Sequence, residues 1–340
     1  MEHEPIVITG AGCVSALGHS VETFWSALQD GRCGLGKFHE PAPSDLKVSI
    51  VGAIPAPDPR HMLDVRKLPM LDRFSILAVA AARQALAQSG LSLERCGHRT
   101  GCVVGVGTAG GEAIEELYRK IYLEGAKRAS VFTVPRVMPS APASQISMAY
   151  GIRGPVFTVS SACASSNHAI ATAVWLLRNS VIDAAIVGGT EAPLTYGILK
   201  AWEAMRIMAP DTCRPFDRNR KGLVLAEGAG MMVLERAEHA KARGAEILAQ
   251  IAGVGMSADA ADLVAPTLEG AANAIRTCLA DANLSVDTID YINAHGTGTA
   301  ANDMTEIKVI KTVFGNEAKR LSISSTKSMH GHALGASGAL

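Results

Sequence analysis

The chain has 340 residues, which exceeds one minimal core and suits one large α/β domain or two fused similar ones. Lysine plus arginine total 32 and aspartate plus glutamate total 32, so no global field would draw the protein to nucleic acid or to anionic lipid. The seven cysteines are widely spread and include no CxxC pair, which favours free thiols in a reducing compartment.

The N-terminus, MEHEPIVITG, is acidic and enters a strand-like run at once. It has neither the basic start nor the apolar run of a secretory signal. The longest apolar stretches, such as LAVAAARQALA, are interrupted by Arg or Gln well short of a membrane span. We therefore expect a cytoplasmic protein without membrane insertion.

Short β-branched runs that lead into glycine predict buried strands: PIVITGAG, GCVVGVG, AAIVGGTE and IDYINAHG. Apolar residues at helical spacing between them predict helices over 74–89, 164–179 and 268–282. The alternation predicts an α/β fold. A charged helix end and Gly244 precede a new strand, which predicts two units, 1–245 and 246–340. The proline-rich stretch 41–69 is typical of an irregular surface excursion.

The segment GPVFTVSSACASSNHAIATAVWLLR predicts a strand, a tight turn and an amphipathic helix that begins near Cys163. At a helix N-terminus, free backbone N–H groups and the dipole are expected to lower the pKa of the thiol and to supply oxyanion donors. A buried structural cysteine explains the local sequence about equally well.

Two later strand ends present histidines. His295 follows IDYINA in a glycine-threonine loop, and Lys327, His330 and His332 follow LSISST. A thiol with two histidines and a lysine suits acyl transfer followed by enolate stabilisation. Only one of His330 and His332 is expected to face the site. Metal ligation explains the pattern less well, because HGH is the only closely spaced pair, so we expect no metal.

SSACASS around Cys163, NAHGTGT around His295 and STKSMHGH around Lys327 and His332 together resemble the elongating β-ketoacyl-acyl carrier protein synthases of the Cys-His-His type. Further segments in family order extend the resemblance over the whole chain: GPVFTVSSAC, CRPFDRNRKGLVLAEGAGMMVLE and RGAEILAQIAGVGMSAD. Within the family, the chain resembles both the synthase II branch and the nodulation protein E branch.

The resemblance implies a thiolase-like αβαβα layered fold of two similar halves, each with a five-stranded mixed sheet, in a homodimer. It implies decarboxylative Claisen condensation of an acyl thioester with malonyl-acyl carrier protein. Cys163 would accept the acyl group, and His295 and His332 would donate hydrogen bonds that assist decarboxylation and stabilise the carbanion. Lys327 would tune the electrostatics and orientation of the site.

Further site residues follow from the same resemblance. Thr297 and Thr299 match threonines that bind the phosphopantetheine arm, which arrives on the acyl carrier protein, so no separate cofactor is expected. Thr108 matches a position near the acyl pocket. Arg66 and Lys67 form a candidate patch for the acidic carrier, although a solvated charged face explains them about equally well.

The chain also departs from the family pattern. The family continues past Leu340 with a helix, closing strands and a glycine-rich loop, so we expect the second half to be truncated here. The glutamate that usually partners the catalytic lysine is expected one position beyond Leu340. We therefore expect activity of the completed protein and treat activity of these 340 residues as a separate, weaker hypothesis.

Three other interpretations compete. GVGTAGG at 105–111 contains GxGxxG, as in dinucleotide-binding proteins, but no acidic residue ends a second strand about 20 residues later. A non-catalytic partner resembling chain-length factors would lack the cysteine that is present as Cys163. A thiolase would use coenzyme A thioesters and normally a second cysteine near its C-terminus.

Overall fold

The computed structural model describes residues 4–38, 45–47, 50–56, 58–262 and 264–340. Its strands are β1 Ile6–Val14, β2 Gly36–Lys37, β3 Ile50–Val51, β4 Thr100–Gly105, β5 Val156–Val159, β6 Ala184–Glu191, β7 Gly228–Arg236, β8 Ala249–Ile251, β9 Tyr291–Asn293 and β10 Ser322–Ser324. The main sheet has six strands in the order β5-β4-β6-β7-β1-β8. β9 and β10 form a parallel pair, and β2 and β3 an antiparallel pair.

Helices connect and cover these strands. They are α1 Val21–Gln29, α2 Arg73–Ser89, α3 Leu93–Cys96, α4 Gly111–Tyr118, α5 Thr133–Val137, α6 Ala141–Tyr150, α7 Ser165–Arg178, α8 Tyr196–Ala204, α9 Ala237–Ala242, α10 Leu268–Ala282, α11 Ala300–Phe314 and α12 Lys327–His330. Several single turns of 3-10 helix and a π-helical turn, Arg119–Leu123, complete the chain. Among the described residues, no helix is long and apolar enough to cross a bilayer.

Successive side chains of each strand point to opposite faces of the main sheet, and helices cover both faces. On one face, Val104 and Ile186 pack in a cluster with α2 and α6. On the other face, Val103 and Val187 pack with α7. Continuous apolar strands between two helical layers are the expected signature of such burial, and they explain why the sequence indicated an α/β fold.

Two glycine pairs reveal an internal repeat. A Cβ at Gly10 or Gly12 would lie 2.1 or 2.0 Å from carbonyl oxygens of α2, those of Ala85 and Ala81. In the second part of the chain, Gly253 and Gly255 approach carbonyls of α10 in the same way, four residues apart along the helix. The strand pairs repeat as well, since β4 is parallel to β5 and β9 is parallel to β10.

The predicted elements are confirmed with shifts of one to a few residues at their ends. The expected five strands in each half are not seen. The described strands divide into a sheet of six, in which β8 pairs with the edge of β1, and two separate pairs. The boundary after residue 245 stays a prediction. Of the excursion 41–69, residues 41–44, 48–49 and 57 lie outside the described part of the chain.

Asp72 joins two helices from a buried position. Its carboxylate caps α2 by accepting from the backbone N–H of Phe74, and it accepts from the N–H of Ala113 in α4 at 2.7 Å. Burial is the main cause that raises the pKa of Asp72 to about 6, and the charge of Glu112 adds to it.

We predict that Asp72 makes folding pH-dependent. Because its folded pKa lies near 6 and an unfolded aspartate has a pKa of about 3.9, its stabilising effect is complete below about pH 4 and is lost as pH rises through 6. Between about pH 4.5 and pH 7, the wild type should lose roughly 2 kcal/mol more unfolding free energy than Asp72→Asn. Denaturant titrations at several pH values measure this, and parallel curves for both proteins would contradict it.

Candidate active site

Cys163 lies in a tight turn between β5 and α7. Ala162 has a φ of 45°, a left-handed conformation that few non-glycine residues adopt. The Ser165 hydroxyl fixes the turn, accepting from the N–H of Ser161 at 2.9 Å and donating to the carbonyl of Ala162 at 2.6 Å. A Cβ at Gly105 would lie 2.4 Å from the backbone at Ser165, so glycine is required for α7 to start this close to β4.

The His332 imidazole faces the Cys163 thiol. Its Nε2 lies 3.1 Å from Sγ, and its Nδ1 lies 2.9 Å from the hydroxyl of Ser337. The His332 backbone is held as well, because its N–H donates to the carbonyl of Val224 and its carbonyl accepts from Ala226. Both the ring and the backbone are therefore oriented towards the thiol.

His295 completes a cluster of three. Its ring lies edge-on to that of His332, with 5.3 Å between centroids. Sγ of Cys163 and one nitrogen of each histidine lie within 4.8 Å of one another. The His295 loop is fixed by Glu306, whose carboxylate accepts from the N–H groups of His295 and Gly296 at 2.6 and 2.7 Å.

The structure distinguishes the two histidines of the HGH sequence. His330 is fully buried, packs against the ring of Phe24 and places its Nε2 3.0 Å from the hydroxyl of Thr326. Only His332 of this pair reaches Cys163. The structure thus places one of the two histidines beside the thiol, and its catalytic role stays a prediction.

Burial governs the protonation of the cluster. Desolvation by the densely packed surroundings is the main cause that lowers the pKa of His295 to about 3, although part of the residue is open to solvent, and repulsion from Lys327 adds to the shift. Burial, followed by His295 and Lys327, lowers the pKa of His332 well below its usual range. Both rings are therefore neutral near pH 7, in the form that can accept a proton at one nitrogen and donate from the other.

The expected low pKa of Cys163 is not found. Burial raises the pKa of the thiol to about 11, whereas the positive charge of Lys327 lowers it by a smaller amount. Ala164 stands between Cys163 and the first residue of α7, Ser165, so Cys163 lies outside the helix and the helix end contributes less than the sequence suggested. The thiol is instead paired with a neutral imidazole, the arrangement of a nucleophile with an adjacent base.

Lys327 is buried at the start of α12. Burial lowers its pKa, and the negative charge of Glu306 opposes that shift. The sequence led us to expect a glutamate partner beyond Leu340. Glu306, inside the chain, already provides a negative charge to Lys327 while it holds the His295 loop.

The buried carboxylate of Glu191, at the end of β6, binds the loop that matched GxGxxG. Its carboxylate accepts from the N–H groups of Gly107 and Thr108, from the Thr108 hydroxyl, and from the N–H of Gly335. Burial raises its pKa, and these donors oppose the rise. The amides that would bind a pyrophosphate already bind a carboxylate, which disfavours the dinucleotide interpretation.

The remaining predicted site residues lie in two separate regions, the His295 loop and the segment before α2. Thr297 is buried in the His295 loop, and its hydroxyl lies 2.9 Å from that of Thr299. Arg66 and Lys67 are exposed in the segment before α2, and the guanidinium of Arg66 pairs with Asp64 at 2.8 Å. In the part of the chain that the structure describes, no contact joins these two cations to the cysteine-histidine cluster.

Family comparisons agree with this geometry. The N-terminal domain model of the β-ketoacyl synthases matches residues 3–240, and the C-terminal domain model matches residues 248–340. The chain belongs to the β-ketoacyl synthase family. The protein is therefore an acyl-condensing ketosynthase with a thiolase-like fold.

Individual relatives refine the comparison. The chain is 54% identical over 338 residues to Nodulation protein E of Rhizobium sp. (strain N33), covering 98% of this chain and 83% of the relative. It is 36% identical over 347 residues to 3-oxoacyl-[acyl-carrier-protein] synthase 2 of Staphylococcus aureus (strain COL), covering 100% and 84%. The solved ishigamide ketosynthase/chain length factor superimposes with a TM-score of 0.94 at 32% identity, covering 99% and 84%.

Sequence reasoning missed the residues that support the cluster: Glu191, Ser337, Asp303 and Glu306. Asp303 is fully buried and accepts from the N–H groups of Phe216 and Gly298. The available signal was an acid at the end of an otherwise apolar strand, AAIVGGTE, and two acids three residues apart in NDMTE. Acids in such positions need several donors, because an unpaired buried charge is costly.

We predict that Glu306→Ala destabilises the His295 loop. The change frees two backbone N–H groups that now bind a carboxylate, so unfolding free energy should fall by about 2 kcal/mol, and the amides of His295 and Gly296 should exchange hydrogen faster. Glu317→Ala is the matched control, because its exposed ion pair with Arg320 should contribute below about 1 kcal/mol. Equal effects of both variants on unfolding and exchange would contradict the prediction.

Proposed function

We propose that the protein catalyses decarboxylative Claisen condensation, with Cys163 carrying the acyl chain and malonyl-acyl carrier protein supplying two carbons. The observation that carries this proposal is the 3.1 Å contact between Sγ of Cys163 and Nε2 of His332, whose ring and backbone are both anchored. A positioned neutral imidazole gives a protonated thiol the base that it needs.

In the first step, Sγ attacks the carbonyl carbon of an acyl thioester while Nε2 of His332 takes the thiol proton. The leaving pantetheine thiolate recovers that proton, so the products are the acyl-enzyme and a free thiol. The Ser337 hydroxyl at Nδ1 can either accept or donate a hydrogen bond. His332 can therefore use Nε2 as an acceptor in this step and as a donor in the next.

Apolar residues surround the nucleophile. Cys163 packs against a cluster that contains Leu199, Met208, Leu225 and Leu334. Such an environment favours the alkyl part of an acyl chain over water. It also raises the pKa of the thiol, which is consistent with base-assisted attack.

In the second step, the malonyl group loses CO₂ and leaves an enolate that attacks the acyl carbon on Cys163. The new C–C bond replaces the bond between the acyl carbon and Sγ, and Sγ leaves as a thiolate that takes up a proton, so the products are CO₂, the β-ketoacyl thioester on the carrier and the free thiol. N–H groups of His295 and His332 would donate to the enolate oxygen, and both rings lie beside Sγ. The buried Lys327 adds positive potential to the same region. In this proposal its role is electrostatic and orienting, because its charge acts on both His295 and Cys163.

We predict that decarboxylation does not titrate with an ordinary histidine. Since the pKa of His295 is near 3 and that of His332 is well below 6.5, both rings stay neutral as pH falls. The rate of CO₂ release from malonyl-carrier should therefore stay nearly constant from about pH 8 to about pH 5.5. His295→Ala should lower this rate about 100-fold or more while Cys163 still becomes acylated. An acid limb centred near 6.5 that disappears in His295→Ala would contradict the prediction.

The acyl donor is an acyl carrier protein in this proposal. The carrier's phosphopantetheine arm would lie along Thr297 and Thr299, so no separate cofactor is required, and Thr108 would border the acyl pocket. Exposed Lys67 and Arg66 offer cations to an acidic partner. Lys67 is the stronger candidate, because the Arg66 charge is already paired with Asp64.

Intact-mass analysis after incubation with an acyl-carrier thioester tests the nucleophile and the donor. We predict an acyl-mass gain that Cys163→Ala abolishes. Lys67→Glu should slow the gain several-fold at low salt and less at high salt, while Lys241→Glu, an exposed lysine on α9, should not. Running this chain beside a version extended to the length of its relatives separates the two activity hypotheses. No gain in the folded, extended protein would overturn the proposal and favour a non-catalytic partner.

We further propose a homodimer formed through β5. This strand is an edge of the main sheet, with β4 as its neighbour. Segment 118–134 also exposes Tyr122, Leu123 and Val131 by 77%, 81% and 83%. An unpaired strand edge and exposed large apolar side chains are each typical of a protein interface.

Leu123→Asp combined with Val131→Asp should convert the dimer to a monomer in analytical ultracentrifugation. Burying two carboxylates in an apolar interface costs several kcal/mol, which exceeds what a standard interface tolerates. Leu284→Asp is the matched control, since Leu284 is exposed outside this segment. A wild-type chain that is monomeric at micromolar concentration would contradict the homodimer.

Two lesser assignments accompany the proposal. Higher identity to Nodulation protein E, 54% against 36% for synthase 2, favours the specialised branch over a housekeeping role. A cytoplasmic location fits seven free cysteines, which a reducing compartment maintains.

A further inference from the structure

We infer that the cysteine-histidine cluster is also an inhibitory binding site for Zn²⁺. The ligand atoms are Sγ of Cys163 and one ring nitrogen each of His295 and His332, all within 4.8 Å of one another. A tetrahedral zinc ion with Zn–S near 2.3 Å and Zn–N near 2.0 Å needs ligand atoms about 3.5 Å apart. Small side-chain movements therefore bring the three atoms to coordination distance.

The surroundings favour this geometry. The Ser337 hydroxyl holds Nδ1 of His332 and leaves Nε2 towards the thiol, as an outer-shell partner does in zinc sites. Part of His295 is exposed to solvent, which would let a cation approach the cluster from that side. Three protein ligands with one open position is the usual composition of an accessible zinc site.

Binding exchanges one proton and involves no electron transfer. Zn²⁺ displaces the proton of the Cys163 thiol to solvent, and a zinc–thiolate bond forms while the two imidazoles coordinate through their lone pairs. Lys327 repels the cation, and Glu306 and Glu191 act in the opposite direction. Coordination would occupy Sγ, so acyl transfer would stop. Binding is independent of the proposed reaction, whereas inhibition rests on it.

The test is spectroscopic and needs no turnover. Co²⁺ is titrated into the wild type, Cys163→Ala, His295→Ala and Cys33→Ser, and a thiolate-to-cobalt charge-transfer band is followed before displacement by Zn²⁺. The wild type should show the band. Cys163→Ala should lack it, and His295→Ala should bind at least about tenfold more weakly. Cys33→Ser, which removes an exposed thiol outside the cluster, should match the wild type.

A second measurement uses only the wild-type protein, so it does not depend on whether the variants fold. Wild-type protein is treated with iodoacetamide with and without Zn²⁺, and Cys163 alkylation is read by peptide mass. Zn²⁺ should protect Cys163 and leave Cys33 reactive, EDTA should reverse the protection, and Mg²⁺ should give none. Absence of the band in the wild type, its persistence in Cys163→Ala, or equal protection by Mg²⁺ would overturn the inference. Zinc binding with unaffected acylation would overturn only the inhibitory role.

Discussion

The carboxylate of Glu191 holds together the two regions that form the active site. It receives N–H groups from the Gly107 loop and from Gly335, which lie on opposite sides of the nucleophile in the sequence. Gly335 belongs to the turn that carries His332 and Ser337, so this contact sets how the imidazole meets Cys163. A fully buried carboxylate needs several donors, and here the donors come from both halves.

The fold was largely predictable because periodicity reports burial directly. Continuous apolar strands between helical runs indicated the layered α/β architecture, and β1, β6, α2 and α10 were found close to their predicted positions. The pairing of β8 with β1 was not predictable, since it is a contact between segments about 240 residues apart whose side-chain pattern does not encode the partner.

The site was predictable in its members and not in its electrostatics. The motifs around Cys163, His295 and His332 indicated the members of the cluster, and the structure brings them together although β5 lies in the main sheet and β9 and β10 form a separate pair. The thiol pKa was expected to fall and instead rises to about 11, since burial outweighs a helix end that begins two residues later. The supporting acids were missed because they act by accepting hydrogen bonds from backbone N–H groups, and a sequence pattern does not show which N–H groups lie close to an acid.

The internal repeat divides the chemistry of the site between its two parts. Cys163 follows β5 and Lys327 follows β10, and these two strands hold equivalent places in the repeated parallel pairs. One part therefore carries the nucleophile where the other carries a cation. A protein built from two copies of either part would lack one of these two groups, so the similarity of the backbones does not make the two parts interchangeable.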